Sequence, residues 1–315
     1  MPSPAYLTSP MPSPLAIGLK PPVSAGHLRR FALATGFLVL CFAVPLWNLV
    51  RFAVTNDFHS YILPVPFIIL YAVWLKRGDI PDSPQPARLA AGVFLLAGLV
   101  TLAFYWINLR SRLRHTEDEY LALMMVAFLL LFFGVCCLFW GRATLRPVAF
   151  PLGLLAFMVP IPAFAMPPIE SFLQNGSAMA AEGFFSMSST PFFRDGFVFH
   201  LPDINLQIGP ECSGIQSSIV LLFNGLLASY LFLQTPWKRA LLTLFVIPLA
   251  LIRNGFRIFT IGELCVQLGP QMINSPIHHR GGPIFFVLSL VPLLILLVIL
   301  KKSEWGRETN LKTTK

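Results

Sequence analysis

The clearest deficit of this 315-residue sequence is in charged side chains. Only 12% of its residues are Asp, Glu, Lys or Arg, whereas soluble domains average about 25%. With 56% hydrophobic residues, the chain cannot cover a water-exposed surface with polar groups. The composition therefore excludes an ordinary soluble globular protein and indicates an exterior that contacts lipid.

Acidic residues are the scarcer charged class. The 14 Asp and Glu residues are outnumbered by 23 Lys and Arg residues, giving a formal charge of +9. The basic residues lie mostly in short segments between apolar runs, where they act as topology signals and contact anionic lipid headgroups. No basic stripe interleaves with aromatic residues, so we predict membrane lipid as a partner and no nucleic acid.

A spaced cysteine or histidine framework is also missing. The five cysteines and six histidines show no disulfide or zinc-ligand pattern, and we predict neither a metal nor another cofactor. Four cysteines lie in or beside apolar runs, whereas Cys212 lies in a polar turn at residues 209–214. Cys212 is therefore the thiol with a candidate chemical role.

Long apolar runs fill most of the chain and predict an all-α, polytopic transmembrane bundle of about eight helices. The predicted spans are residues 31–54, 59–75, 88–107, 120–140, 147–165, 214–234, 239–260 and 283–300. Between the fifth and sixth spans, residues 168–187 are amphipathic and predict a helix on the outer face. Residues 196–208 alternate in polarity, which predicts a short β-hairpin.

The regions outside and inside the spans predict three domains. Residues 1–30 are rich in Pro and Ser, and we expect a disordered cytoplasmic arm. Residues 31–300 form the transmembrane domain, and residues 301–315 form a basic cytoplasmic tail. With the N-terminus inside, 15 Lys and Arg residues face the cytoplasm and 8 face outward. This asymmetry predicts a multi-pass protein of the cell inner membrane with both termini in the cytoplasm.

Three reactive groups lie at the outer ends of predicted spans. Cys212 precedes the sixth span, Arg253 and Arg257 lie near the end of the seventh, and His278 precedes the eighth. This topology brings a thiol, a guanidinium and an imidazole to one membrane face. Together they can perform a nucleophilic acyl transfer.

Each of these residues also has a structural interpretation. Cys212 can be an inert apolar thiol, but Cys212 or Ser213 is predicted to cap a long helix, where the dipole favours a thiolate. Arg253 and Arg257 share a helix face and can simply snorkel to the interface, although ionisable residues in spans are functional candidates by default. His278 and His279 either lie in a solvated interface loop or supply a general base or acid near neutral pH.

The order of three short motifs resembles the exosortase/archaeosortase family of membrane cysteine transpeptidases. The motifs are Glu211-Cys212-Ser213-Gly214-Ile215, Asn254-Gly255-Phe256-Arg257, and His278 four residues before Gly282. The resemblance covers roughly residues 50–300, with its specific part, the catalytic half, in residues 205–290.

The resemblance implies a catalytic triad and a type of substrate. The implied triad is Cys212, Arg257 and His278, with Arg253, Asn254, Ser213 and His279 as supporting or alternative residues. Family members act on secreted proteins that end in a short motif, a hydrophobic helix and a basic tail; the motif is Pro-Glu-Pro in many bacterial cases. We therefore expect a thiol protease or transpeptidase that acts on the periplasmic face through a thioacyl-enzyme intermediate.

The sequence leaves three other classes open. A lipid or anion transporter would bind an anionic group with the arginine pair. An intramembrane serine protease would use Ser213 with His278, and a structural subunit would use none of these residues. Alkylation of thiols separates the cysteine enzyme from these classes, because only the cysteine enzyme depends on Cys212.

Overall fold

The computed structural model describes residues 25–81, 85–110, 116–202, 204–209, 212–274 and 282–313. Their α-helices are α1 (Ala25–Cys41), α2 (Ala43–Thr55), α3 (Val65–Leu75), α4 (Arg88–Arg110), α5 (Glu117–Phe139), α6 (Gly141–Leu145), α7 (Ala149–Gly153), α8 (Met166–Met187), α9 (Ile215–Phe232), α10 (Pro236–Leu268) and α11 (Gly282–Thr313). Short 3₁₀ helices, among them Asp57–Ile62, connect several of them. A small sheet lies between α8 and α9.

The helical bundle has the length and surface of a multi-pass membrane protein. Among the described residues, six helical segments are long and apolar enough to cross a membrane, and the count reaches eight if each of two bent pairs is one span. Large apolar side chains are exposed on the exterior, among them Phe37, Phe67 and Leu89. Such a surface is stable against lipid tails and not against water. The predicted all-α polytopic bundle is confirmed.

The first predicted span is a bent pair rather than one straight helix. Helices α1 and α2 meet at 67°, with the break at Phe42. Pro45 lies in the first turn of α2 and has no N–H to donate to the carbonyl of Cys41, so the helical hydrogen-bond ladder is interrupted there. Helix α1 begins at Ala25, earlier than predicted, and residues 1–24 of the predicted arm lie outside the described residues.

The predicted span at residues 147–165 is not a continuous helix. The chain there forms α7 and several 3₁₀ turns, then bends by 96° into α8. Four prolines within this stretch each remove a backbone donor, and they are Pro147, Pro151, Pro160 and Pro162. The bend directs α8 back along the rest of the bundle.

Helix α8 packs lengthwise against the second half of α10. Gly255 of α10 makes the closest approach: a Cβ there would lie 2.5 Å from Ala180 Cβ and 2.8 Å from the backbone nitrogen of Ala181. Small residues at this contact let the two backbones approach, as is common between helices in membranes. The predicted helix at residues 168–187 is confirmed as a helix, and its buried side is fixed to α10.

The small sheet has three antiparallel strands, β1 (Phe193–Asp195), β2 (Val198–Leu201) and β3 (Ile204–Gln207), in the order β1-β2-β3. The predicted hairpin at residues 196–208 corresponds to β2 and β3, whereas β1 was missed. Phe199 and Leu206 are cross-strand partners and are buried against Phe185 of α8 and Ile258 of α10. This apolar cluster supports the turn that follows β3.

Candidate active site

The turn that contains Cys212 lies directly before α9. The backbone N–H of Cys212 donates to the carbonyl of Gly209 at 3.0 Å, and the side chain packs against the apolar cluster of α8, the sheet and α10. Gly214 occupies the N-cap position with φ 70° and no side-chain cap. The prediction that Cys212 or Ser213 caps the helix was therefore wrong, because the left-handed glycine separates both residues from its first turn.

Asn254 of α10 joins this turn to α8. Its Nδ2 donates to the carbonyl of Cys212 at 2.7 Å and to Ser177 Oγ at 3.0 Å. Asn254 is 2% exposed, so both bonds form away from water, where an unpaired amide is costly. The side chain therefore fixes the backbone that carries the thiol.

Arg253 bonds to Gly214, two residues after Cys212, and to the first turn of α9. Its Nη2 donates to the carbonyl of Gly214 and to Ser218 Oγ, each at 3.4 Å. Gly214 fits closely beneath it: a Cβ there would lie 2.7 Å from Asn254 Oδ1 and 3.2 Å from Arg253 Nη2. Arg253 thus acts in this structure as a buried link between α10 and the start of α9.

Arg257, one helical turn further along α10, lines a cavity of about 610 Å³. We call this the Arg257 cavity. The 3₁₀ helix at Asp57–Ile62 contributes Phe58, α8 contributes Glu170, α9 contributes Gln216 and Ser217, and α11 contributes Phe286, with Gly214, Ile215, Val220, Gly282 and Pro283 completing the lining. Arg257 and Glu170 are the charged residues among these.

The predicted site residues occupy different parts of this arrangement. Arg257 lines the cavity; Gly214, two residues after Cys212, and Gly282, four residues after His278, line it too. His278 and His279 themselves lie outside the described residues. The structure thus brings parts of all three motifs to one cavity.

Ser213 is enclosed rather than presented to a ligand. It is 1% exposed, and its Oγ has no hydrogen-bond partner among the described residues. Neither Ser213 nor Cys212 contributes to the lining of the Arg257 cavity, but Cys212 is only partly buried. A hydroxyl placed in this way is poorly suited to attack a substrate, which weakens the serine-protease alternative.

The cavity is suited to bind polar organic groups. It offers a guanidinium, a carboxylate, an amide and a hydroxyl on an otherwise apolar wall, the usual composition of an organic-ligand site. Within the described ranges, no group of three His, Cys, Asp or Glu side chains could hold a metal ion. Glu170, Ser177 and Phe58 were missed in the sequence, because no short motif marks them.

The helical bundle defines this chain as a multi-pass membrane protein, and a polar cavity lies between its helices. A family model described as transmembrane exosortase matches residues 52–295. The chain therefore belongs to the transmembrane exosortase family, and the resemblance predicted over residues 50–300 is confirmed. Neither the curated proteins nor the solved structures give a significant match.

Proposed function

We propose that this protein is a membrane cysteine transpeptidase that cleaves the C-terminal sorting signal of secreted proteins. Membership of the exosortase family supports this class of reaction. The observation that carries the proposal is that Arg257, Gly214 and Gly282, each belonging to a different motif, line one cavity. Residues that are far apart in the sequence then act on one substrate.

In this mechanism, His278 accepts the proton of the Cys212 thiol, and the sulfur attacks the backbone carbonyl next to the sorting motif. The peptide bond breaks, the amine product leaves with a proton from His278, and the acyl group remains on sulfur as a thioester. A second nucleophile, an amine, a hydroxyl or water, then takes the acyl group. We assign His278 rather than His279 because of its spacing to Gly282.

Arg257 stabilises the negative charge that develops during these steps. A cation fixed in a cavity between helices stabilises a thiolate or an oxyanion more strongly than a cation in bulk water does. Arg253 has a different role, because its guanidinium bonds to the Gly214 carbonyl. We therefore propose Arg257 as the catalytic arginine and Arg253 as a positioning residue.

The substrate reaches the cavity from the membrane. Its hydrophobic helix docks in the bilayer, and its motif meets the cavity at the periplasmic face. Confinement to the membrane replaces a bimolecular search with a nearly intramolecular encounter, which raises the effective concentration of the motif. The basic tail of the substrate stays on the cytoplasmic side by the same rule that orients the enzyme.

The test is to co-express the enzyme with a secreted protein that ends in a Pro-Glu-Pro motif, an apolar helix and a basic tail. We expect Cys212→Ala to insert normally and to abolish processing, and we expect mass spectrometry of the wild type to find a thioester on Cys212. Cys41→Ala is the matched control, because Cys41 is an exposed thiol of α1 remote from the Cys212 turn in sequence. Processing at the wild-type rate by Cys212→Ala would refute the nucleophile.

A further inference from the structure

Glu170 is the charged residue of the Arg257 cavity to which the proposed mechanism gives no role. It lies near the start of α8 and is half-buried. None of the described residues forms a hydrogen bond or an ion pair with its carboxylate. A carboxylate that lines a cavity and has no partner among the described residues is a candidate contact for a ligand.

Two other carboxylates on the same pair of packed helices have structural partners. Glu182 of α8 pairs with Arg194 at the start of the sheet. Glu263 of α10 accepts hydrogen bonds from Thr190 Oγ1 at 2.7 Å and from Gln267 Nε2 at 3.2 Å. Neither lines the Arg257 cavity. Glu170 differs from both in its location and in its lack of a described partner.

A carboxylate at this place opposes the formation of the acyl-enzyme. The Cys212 thiolate and the oxyanion at the attacked carbonyl are both negative, and Glu170 repels them. A cationic ligand reverses this effect, because a carboxylate binds an ammonium group through charge-assisted hydrogen bonds. The second half of an acyl transfer brings in such a ligand when the acceptor is an amine.

We propose that Glu170 forms the acceptor subsite of this enzyme and that the acyl acceptor is a primary amine, which arrives as an ammonium ion. This inference rests on the proposed function and narrows it, since that function alone leaves an amine, a hydroxyl or water open. Glu170 binds the ammonium group beside the thioester. Arg257 remains the group that stabilises negative charge.

The ammonium ion gives up a proton, which passes by way of Glu170 to solvent, and the neutral nitrogen attacks the thioester carbonyl carbon. The C–N bond forms, the C–S bond breaks, and its electron pair returns to the sulfur of Cys212. A second proton moves from nitrogen to sulfur. One ammonium ion and one thioester thus give one amide, the Cys212 thiol and one released proton.

The test compares two acceptors with the full-length enzyme in proteoliposomes and the same sorting-signal substrate. At neutral pH, 2-aminoethanol is an ammonium ion and hydroxylamine is largely uncharged. Both adducts are quantified by mass spectrometry on the same enzyme preparation. Their ratio is independent of the amount of folded protein, so a partly unfolded variant still gives an answer.

We expect Glu170→Gln to lower the ratio of the 2-aminoethanol adduct to the hydroxylamine adduct about tenfold or more, because the variant loses a charge-assisted hydrogen bond to the ammonium group. Glu170→Asp should retain the preference for the ammonium acceptor. Glu182→Gln, on the same helix, is the control and should not change the ratio. An unchanged ratio in Glu170→Gln would overturn the acceptor subsite alone. The absence of any thioester on wild-type Cys212 would overturn the proposed function and this inference with it.

Discussion

Arg253 and Arg257 carry the same charge one helical turn apart, and their surroundings differ. Arg253 is 7% exposed and donates to the turn before α9, whereas Arg257 lines the cavity. We expect Arg257→Lys to lower the rate of substrate processing about tenfold or more, because an ammonium group lacks the planar fork of donors. Arg253→Lys should lose less, since one donor can replace its contacts.

The measurement is the initial rate of processing in proteoliposomes at matched enzyme amounts. Thermal stability in detergent serves as the control for folding, and we expect Arg253→Lys to shift it more than Arg257→Lys does. A larger loss of rate in Arg253→Lys would move the catalytic role to Arg253.

Gly214 has both a positive φ and a crowded Cα. A left-handed conformation costs a non-glycine residue about 1–2 kcal/mol. We expect Gly214→Ala to destabilise the protein by more than this, because the added Cβ would lie 2.7 Å from Asn254 Oδ1. Gly196→Ala is the matched control, since Gly196 has φ 58° and nothing within 4 Å of its Cβ position. Thermal unfolding in detergent measures both. Equal shifts in the two variants would show that the approach to Asn254 is unimportant.

His59 is a buried imidazole between aromatic rings. It is 3% exposed, its ring centroid lies 4.6 Å from those of Phe52 and Phe58, and neither ring nitrogen has a hydrogen-bond partner among the described residues. Because an unpaired buried polar group is unfavourable by about 1–3 kcal/mol, we expect His59→Leu to keep or raise the unfolding temperature. A clear fall would show that the imidazole has a stabilising partner.

At the scale of elements, the contact between α8 and α10 sets the geometry of the site. We expect Gly255→Ala to separate the two helices and to weaken the bonds of Asn254, because its Cβ would meet Ala180 at 2.5 Å. Gly183→Ala on α8 is the control: it has open space around its Cβ position and should stabilise the helix by up to about 1 kcal/mol. Processing rate and thermal stability report both effects. Full activity in Gly255→Ala would show that the close contact between α8 and α10 does not control the geometry of the site.

The sequence predicted the elements to the extent that hydropathy defines them. Apolar runs of sufficient length identify membrane helices without any knowledge of packing. The bend at Phe42 and the broken stretch at residues 147–165 were not predicted, because hydropathy does not reflect the backbone N–H donors that prolines lack. Strand β1 was not predicted, because three residues are too few to show an alternation of polar and apolar side chains.

Only those residues of the candidate site that lie in short motifs could be predicted from the sequence. The motif order identified Cys212 and Arg257 as candidates, and it placed Asn254 beside them. The structural roles of Asn254 and Gly214 arise from contacts among α8, α9 and α10, and no single stretch of sequence encodes such contacts. Glu170 has no motif at all, and its candidacy comes from the shape of the cavity.

At the scale of the whole molecule, the orientation in the membrane is a prediction from 15 basic residues inside against 8 outside. We expect a protease-cleavable tag after Lys315 to be protected in spheroplasts. The same tag in the turn between β1 and β2, at Gly196, should be cleaved, since that turn belongs to the predicted outer face. Cleavage of the tag after Lys315 from outside would reverse the orientation.

Helix α10 carries both the residues that hold the Cys212 turn and, one turn later, Arg257. The backbone of Cys212 is thus hydrogen-bonded to the same helix that carries the Arg257 guanidinium. A bilayer that thins, thickens or curves shifts neighbouring helices relative to each other, but we expect the Cys212 turn and Arg257 to move together with α10. Substrate processing by this member of the exosortase family should accordingly depend less on lipid composition than it would if the Cys212 turn and Arg257 were held by separate helices.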